Sequence, residues 1–240
     1  MNRLIKHAGK RALSVIGRLE SIFDRTYLAD DVPNNAKPVW QAFIKHLPDD
    51  LSVLEIGSRE VTGPSSARET FRNHRYTGFD YYPGRNVDVV GDAHRLSSYF
   101  SERFDLVFSQ ACFEHFAVPW IVSQEIAKTL KVGGYLYIAT HFSYATHERP
   151  WNFFQFSDMG LRVLFPEALG FECIAASMSD PIVGRVSALA HESIRYQPIR
   201  GLYCGSEYFG RKARDVEDFA WGRMEVTNLA GGTVYPAPRA

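Results

Sequence analysis

Three histidines stand where the loops of a parallel sheet would gather. His115 comes soon after the apolar run Phe104–Ser109, His141 directly follows the run Tyr135–Thr140, and His147 comes shortly after it. Histidine exchanges its proton near neutral pH, so each is a candidate general base for a hydroxyl acceptor. As bases they rank His141, then His147, then His115. Each also has the plain reading of a structural histidine.

The stretch that begins at His147 reads His147-Glu148-Arg149-Pro150-Trp151-Asn152-Phe153-Phe154-Gln155-Phe156. Aromatic faces beside charged and amide groups suit a polyhydroxylated ring, which offers an apolar face and polar edges. Arg149 could clamp a phosphate or carboxylate. Arg149, Trp151 and Asn152 are therefore the candidate substrate contacts. For Phe154 and Phe156, packing of the next helix on the sheet is an equal reading.

A second group of polar residues sits at the ends of earlier apolar runs. The run Val53-Leu54-Glu55-Ile56 ends in Gly57-Ser58-Arg59, with Gly63 beyond, and Arg75–Asp80 ends in an aspartate followed by Tyr81. Next come Gly91-Asp92-Ala93-His94 and, after Phe104–Ser109, Gln110-Ala111-Cys112-Phe113-Glu114-His115. A glycine after a buried strand lets the backbone approach a ligand, and a strand-end aspartate can accept bonds from both hydroxyls of a ribose. After Gly57 come Arg59 and Val61, with glycine again only at Gly63, and that spacing excludes the dinucleotide fingerprint.

These side chains need elements to position them. Strands are expected at Leu51–Ile56, Arg75–Asp80, Asp88–Val90, Phe104–Ser109, Tyr135–Thr140 and Phe171–Ser177. Ser206–Lys212 is read as a last strand beside Phe171–Ser177. Helices are expected at Trp40–Leu47, Trp120–Leu130 and Asp158–Phe165, with Gly133-Gly134 stopping the second. Such alternation implies an α/β fold, a doubly wound and mainly parallel sheet with helices on both faces. The expected domains are an N-terminal helical segment over 1–48, a main domain over 49–212 with an acceptor-side insertion at 179–205, and a tail over 213–240.

Charge and composition narrow the partners. Lys+Arg and Asp+Glu balance at 27 each, so no global field gathers nucleic acid. The three cysteines lack metal-ligand spacing and read as free thiols, and no carboxylate cluster has convincing ligand spacing, so no metal is expected. No apolar run approaches the ~20 residues that span a bilayer, and no leader is apparent, so a cytoplasmic location is expected. Residues 1–28 have helical apolar spacing with a basic face. They read either as an N-terminal helix docked on the domain or on a second copy, giving a homodimer, or as a peripheral membrane contact through residues 1–25.

The strand with Glu55-Ile56-Gly57, the Asp80 strand end, the Asp92 loop, the strand Phe104-Asp105-Leu106-Val107 with its following Glu-His, and Leu130-Lys131-Val132-Gly133-Gly134 come in one order and spacing. Together they resemble the class I methyltransferases that use S-adenosylmethionine, over about residues 51–178. The resemblance implies a Rossmann-like seven-stranded sheet and S-adenosylmethionine as cofactor. It places Glu55, Gly57 and Ser58 around the methionine end; Arg59 departs from the family's further glycines, and a wider turn there would bring it to the methionine carboxylate. Asp80 would hold the ribose with Tyr81 nearby, Asp92 the adenine amino group beside Ala93 and His94, and Gln110 the floor near the sulfonium. The segment 147–156 is similar to bacterial methyltransferases of surface-polysaccharide and natural-product pathways. That implies O-methylation of a small hydroxylated acceptor. N-methylation of a small molecule and a non-catalytic interaction module are the other readings.

Overall fold

The computed structural model describes residues 15–16, 32–61 and 63–229. Apart from Val15 and Ile16, the N-terminal helix expected over 1–28 lies outside the described residues, as does the end of the tail, 230–240. The chain divides into two compact units, one of Pro33–Ser179 with Gly205–Ala240 and one of Met1–Val32 with Asp180–Cys204.

The larger unit is built on a seven-stranded sheet. Its strands are β1 (Ser52–Ile56), β2 (Arg75–Asp80), β3 (Val89–Val90), β4 (Phe104–Gln110), β5 (Leu130–His141), β6 (Phe171–Pro181) and β9 (Tyr203–Lys212). They lie in the order β3-β2-β1-β4-β5-β9-β6. The pairs β1–β2, β1–β4, β2–β3 and β4–β5 are parallel, and β9 runs antiparallel to β5. From β1 the chain steps outward to β2 and β3, then returns to place β4 on the other side of β1. That reversal is the switch point where an open α/β sheet binds its ligands, beyond the carboxyl ends of the strands.

Strand alternation divides the core between two faces. Leu54, Ile56, Val107, Leu136, Ile138 and Tyr208 point to one side. There they meet Val122 and Ile126 of helix α3 (Pro119–Thr129) and Leu161 and Leu164 of α4 (Asp158–Leu164). Val53, Leu106, Phe108, Tyr137 and Phe209 point to the other side, where they meet Trp40 of α1 (Ala36–Ile44) and Ala67 of the short α2 (Ala67–Thr70). The Trp40 ring stacks on Tyr137 at 4.5 Å and 3°, which fixes α1 over β5. Helices therefore cover both faces, as the alternation of elements implies.

Several boundaries differ from the expected ones, and two of them have a clear physical reason. Helix α1 begins at Ala36, so Pro38 lies in its first turn, where the missing N–H costs nothing because those donors have no intrahelical partner. Helix α3 ends at Thr129, and Leu130 already has extended angles, φ −90° and ψ 138°. Gly133-Gly134 does not end the helix. It lies inside β5, where the register with β4 jumps between Phe104↔Leu130 and Leu106↔Tyr135 and Gly133 takes φ +87°. The buried carbonyls at the end of α3 are taken by Lys212, whose buried ammonium donates to Ala127 O and Leu130 O and contacts Asp215 Oδ1 at 2.6 Å.

The smaller unit holds a two-stranded antiparallel pair, β7 (Gly184–Arg185) and β8 (Pro198–Ile199). The main-chain bond from Ile182 N to Leu202 O, 2.8 Å, closes the same hairpin. The last element is a single turn of helix, α5 (Val226–Leu229). Among the described residues no helix is long and apolar enough to cross a membrane.

Candidate active site

At the carboxyl end of β1 the chain turns at Gly57, with φ +83°. A Cβ there would stand 2.7 Å from both Cβ and Sγ of Cys112, so only glycine lets the ends of β1 and β4 come this close. Gly57 N and Ser58 N both donate to Phe79 O, at 2.8 and 3.1 Å, locking the turn to β2. Glu55 is buried on the α1 side, where its carboxylate accepts from Tyr76 Oη and from Asn86 Nδ2 at 3.3 Å. Asn86 Nδ2 also reaches Ser58 O at 3.0 Å. Burial raises the Glu55 carboxyl above its ordinary range, against the hydrogen bonds from Tyr76 and Asn86. Glu55 thus acts on the turn through Asn86. Ser58 Oγ is buried and makes no hydrogen bond.

Asp80, at the end of β2, is bound from two sides. Arg59 Nε meets its Oδ1 at 3.2 Å, the Arg59 main-chain N–H donates to Oδ2 at 3.3 Å, and Tyr82 N donates to Oδ1 at 3.0 Å. The Arg59 guanidinium also lies 5.7 Å from the centre of the Tyr82 ring. Tyr81 is 60% exposed and meets Tyr82 edge-on.

Asp92 follows β3 and caps a 3-10 turn over Ala93–Tyr99, accepting from His94 N at 2.9 Å and lying 2.7 Å from His94 Nδ1. The other ring nitrogen, Nε2, accepts from Val118 N at 3.3 Å, so Nδ1 carries the proton and donates to Asp92. Burial works to raise the Asp92 carboxyl, but the bonds from His94 outweigh it and hold the group below its ordinary range. Ala93 is buried beside it, and Gln110 is exposed at the end of β4.

The three candidate bases converge on one residue. Glu114, just beyond β4, is fully buried, and its Oε2 accepts from Thr140 Oγ1 at 2.6 Å. Its Oε1 faces His141 Nδ1 at 2.7 Å in a contact bent away from good hydrogen-bond geometry, His115 Nε2 at 3.8 Å and His147 Nε2 at 3.9 Å. Desolvation pushes the Glu114 carboxyl up, and the His141 and Thr140 contacts more than reverse this, leaving it below the ordinary range. His141 stacks flat on Tyr144, 4.2 Å apart at 8°.

The loop after β5 folds back to close this cluster. Phe153 N and Phe154 N donate to Glu114 O at 2.8 and 3.3 Å, and Phe156 N donates to His141 O at 2.9 Å. Phe156 is buried in the core and Phe154 packs against it, so these two rings hold the loop down. Trp151 and Phe153 meet edge-on at 5.6 Å and stay 60% and 43% exposed. Asn152 is half-buried between them and Arg149 is exposed.

Cys112 lies between the two groups of residues. Burial raises its thiol above the ordinary range, and the charges of Glu114 and Asp80 add to the effect. The structure therefore gathers His115, His141 and His147 around Glu114, joins Arg59 to Asp80, and joins His94 to Asp92. Sequence reasoning did not single out Glu114, Asn86, Tyr76 or Cys112 as site residues. Glu114 had one signal, its place directly before His115 past a strand end. Asn86 and Tyr76 had none. A separate cleft lined by Met159, Arg162, Glu167, Cys173 and Arg214 shares no residue with this site.

Comparison with known proteins places the same segment in a family. Residues 54–138 match the family model of a methyltransferase domain. No curated protein sequence matches the chain. Among solved structures, a Bacillus halodurans protein assigned as a methyltransferase is similar at a TM-score of 0.50 and 15% identity, over 73% of this chain and 98% of that one. A SAM-dependent methyltransferase from Archaeoglobus fulgidus gives 0.48 and 14%, over 73% and 92%. TehB from Haemophilus influenzae gives 0.47 and 15% over 73% of this chain, which spans 62% of TehB's length. At these identities the structural likeness speaks for the fold, and the family match speaks for its type. Over residues 54–138 the chain matches a methyltransferase domain, on a fold it shares with the Bacillus halodurans protein.

Proposed function

We propose that the chain is an S-adenosylmethionine-dependent methyltransferase that methylates a hydroxyl of a small acceptor, such as a sugar or a natural-product intermediate. The observation that carries this reading is the Glu114–His141 pair, a buried carboxylate 2.7 Å from an imidazole at the end of β5. The donor set suits the cofactor: carboxylates at the ends of β2 and β3 match ribose hydroxyls and an adenine amino group. Asp80 would hold the ribose beside Tyr81, and Asp92 the adenine with Ala93 and His94. Gly57 and Ser58 would line the methionine end, braced by Glu55 through Asn86, with Arg59 reaching the methionine carboxylate and Gln110 below the sulfonium.

When bound, S-adenosylmethionine supplies an activated methyl group on a sulfonium. The protein's own task is then alignment and proton removal, and alignment alone can contribute about 7–11 kcal/mol. His141 turns Nδ1 toward the Glu114 carboxylate, which leaves Nε2 to accept the acceptor's hydroxyl proton. Glu114 stabilises the imidazolium that forms. His147 and His115 stand next in line as bases. Trp151 and Phe153 offer exposed faces for a ring, with Asn152 and Arg149 at its polar edges. The acceptor is a small molecule, handled in the cytoplasm.

A second reading, a non-catalytic module that keeps the fold, is favoured by Arg59 occupying Asp80. A panel of hydroxylated acceptors, assayed for transfer of labelled methyl by the wild type and His141→Ala, tests the proposal. Transfer that depends on His141 supports it. Transfer to amines alone, or none to any acceptor, contradicts it.

A further inference from the structure

The imidazoles around Glu114 hold a second meaning in their tautomers. His115 Nδ1 lies against Trp151 O, and His147 Nδ1 lies 3.0 Å from Ala145 O. A carbonyl only accepts, so in both rings Nδ1 carries the hydrogen and donates it. In the neutral rings Nε2 is then a bare lone pair. Both Nε2 atoms face Glu114 Oε1, at 3.8 and 3.9 Å, and that buried oxygen makes no hydrogen bond of its own. Two bare lone pairs thus face a carboxylate oxygen whose nearest neighbour is His141 Nδ1, and neither His115 nor His147 offers it a hydrogen.

We infer that Glu114, His115 and His147 form a binding site for a divalent transition-metal ion of the zinc type. One ligand atom from each residue lies within 4.8 Å of the others. The His115 and His147 rings meet edge-on, 5.0 Å apart, and both Nε2 atoms lie within 4 Å of the same carboxylate oxygen. Zinc at ~2.0–2.1 Å from each ligand sets tetrahedral ligand atoms about 3.4 Å apart, a few tenths of an ångström closer than the carboxylate–imidazole distances of 3.8 and 3.9 Å. Small side-chain rotations close that gap. Each ligand already has the outer partner that metal sites use: a backbone carbonyl on each Nδ1–H, and Thr140 with His141 on the carboxylate. Two imidazoles and one carboxylate favour zinc, iron, cobalt or nickel over magnesium or calcium. Glu148 Oε2 lies 3.9 Å from His115 Nε2 and is half-exposed, so the fourth position is open to water or an acceptor oxygen.

The inference does not depend on methyl transfer, and its test reads metal directly. The full chain, stripped of metal by chelator, is titrated with cobalt(II) and followed by visible d–d absorption, with bound metal counted by elemental analysis. One ion per chain is expected, displaced by zinc, with affinity lower by at least about tenfold in His147→Ala and in His115→Ala. Because Glu114 is fully buried and its substitution acts on folding, the two histidine variants, checked by circular dichroism, decide the question. A wild type that binds no cobalt, or folded variants that bind it as tightly as the wild type, overturns the inference.

Discussion

Arg59 and Asp80 are joined twice, through Nε to Oδ1 at 3.2 Å and through the main-chain N–H to Oδ2 at 3.3 Å. Tyr82 N takes a third acceptor position. A carboxylate offers about four such positions, so a ribose with two hydroxyls needs the guanidinium to leave. Asp80→Ala is therefore expected to weaken S-adenosylmethionine binding by about ten- to hundredfold, the worth of hydrogen bonds to a charged group. Arg59→Ala removes a partly exposed ion pair and should change unfolding free energy by less than about 1 kcal/mol. Calorimetry for the first and denaturant melts for the second check both.

Removing the proposed base should act on turnover. His141→Ala is expected to lower kcat by about 10²–10⁴, the usual range for a positioned base, with cofactor affinity unchanged. His147→Ala should cost less. Full turnover in His141→Ala with hydroxyl acceptors would remove His141 from the mechanism.

Acid should unfold the protein through carboxylates held low by their partners. Burial opposes ionisation of Glu114, Glu125, Asp105 and Asp92, but the close contact of His141 and the hydrogen bonds from Thr140, Lys128 and Ser97, Lys131 and Ser52, and His94 outweigh it. Folded pKa values below the unfolded ones mean that the unfolded chain binds more protons. This contribution is complete above the unfolded values near 4.5 and 3.8, and is lost as pH falls through the folded ones. Glu55 runs the other way, because its raised pKa lowers stability as pH climbs from 4.5. Melting temperatures taken from neutral pH downward should fall steeply below pH 4.5, and Glu114→Gln should flatten part of that fall.

The aromatic seam under α1 should be the costliest place to cut. Trp40 is 6% exposed and packs on Tyr137, Phe108, Phe71 and Phe209. Trp40→Ala should destabilise by about 3–5 kcal/mol, read from urea unfolding midpoints.

The sheet was legible because buried parallel strands write themselves as apolar runs. Arg75–Asp80 and the start of Phe104–Gln110 fall where the sequence places them. Gly133-Gly134 misled because a bulge in a strand and a helix stop ask for the same residue. The first helix starts at Ala36, ahead of the expected Trp40, because the first turn of a helix accepts Pro38. Within the site, Asp80, Asp92 and the histidines were visible as strand-end polar residues. Their partners were not. Nothing local in the sequence says that Asn86 reaches back to Glu55, or that the loop bearing His147 folds down on Glu114 through Phe153, Phe154 and Phe156.

The most direct measurement is calorimetric titration of the full chain with S-adenosylmethionine and with its demethylated product. Both should bind at one site per chain, and Asp80→Ala should weaken both. If neither ligand binds the folded wild type, with Arg59 still closed on Asp80, the chain is not a methyltransferase and the account fails.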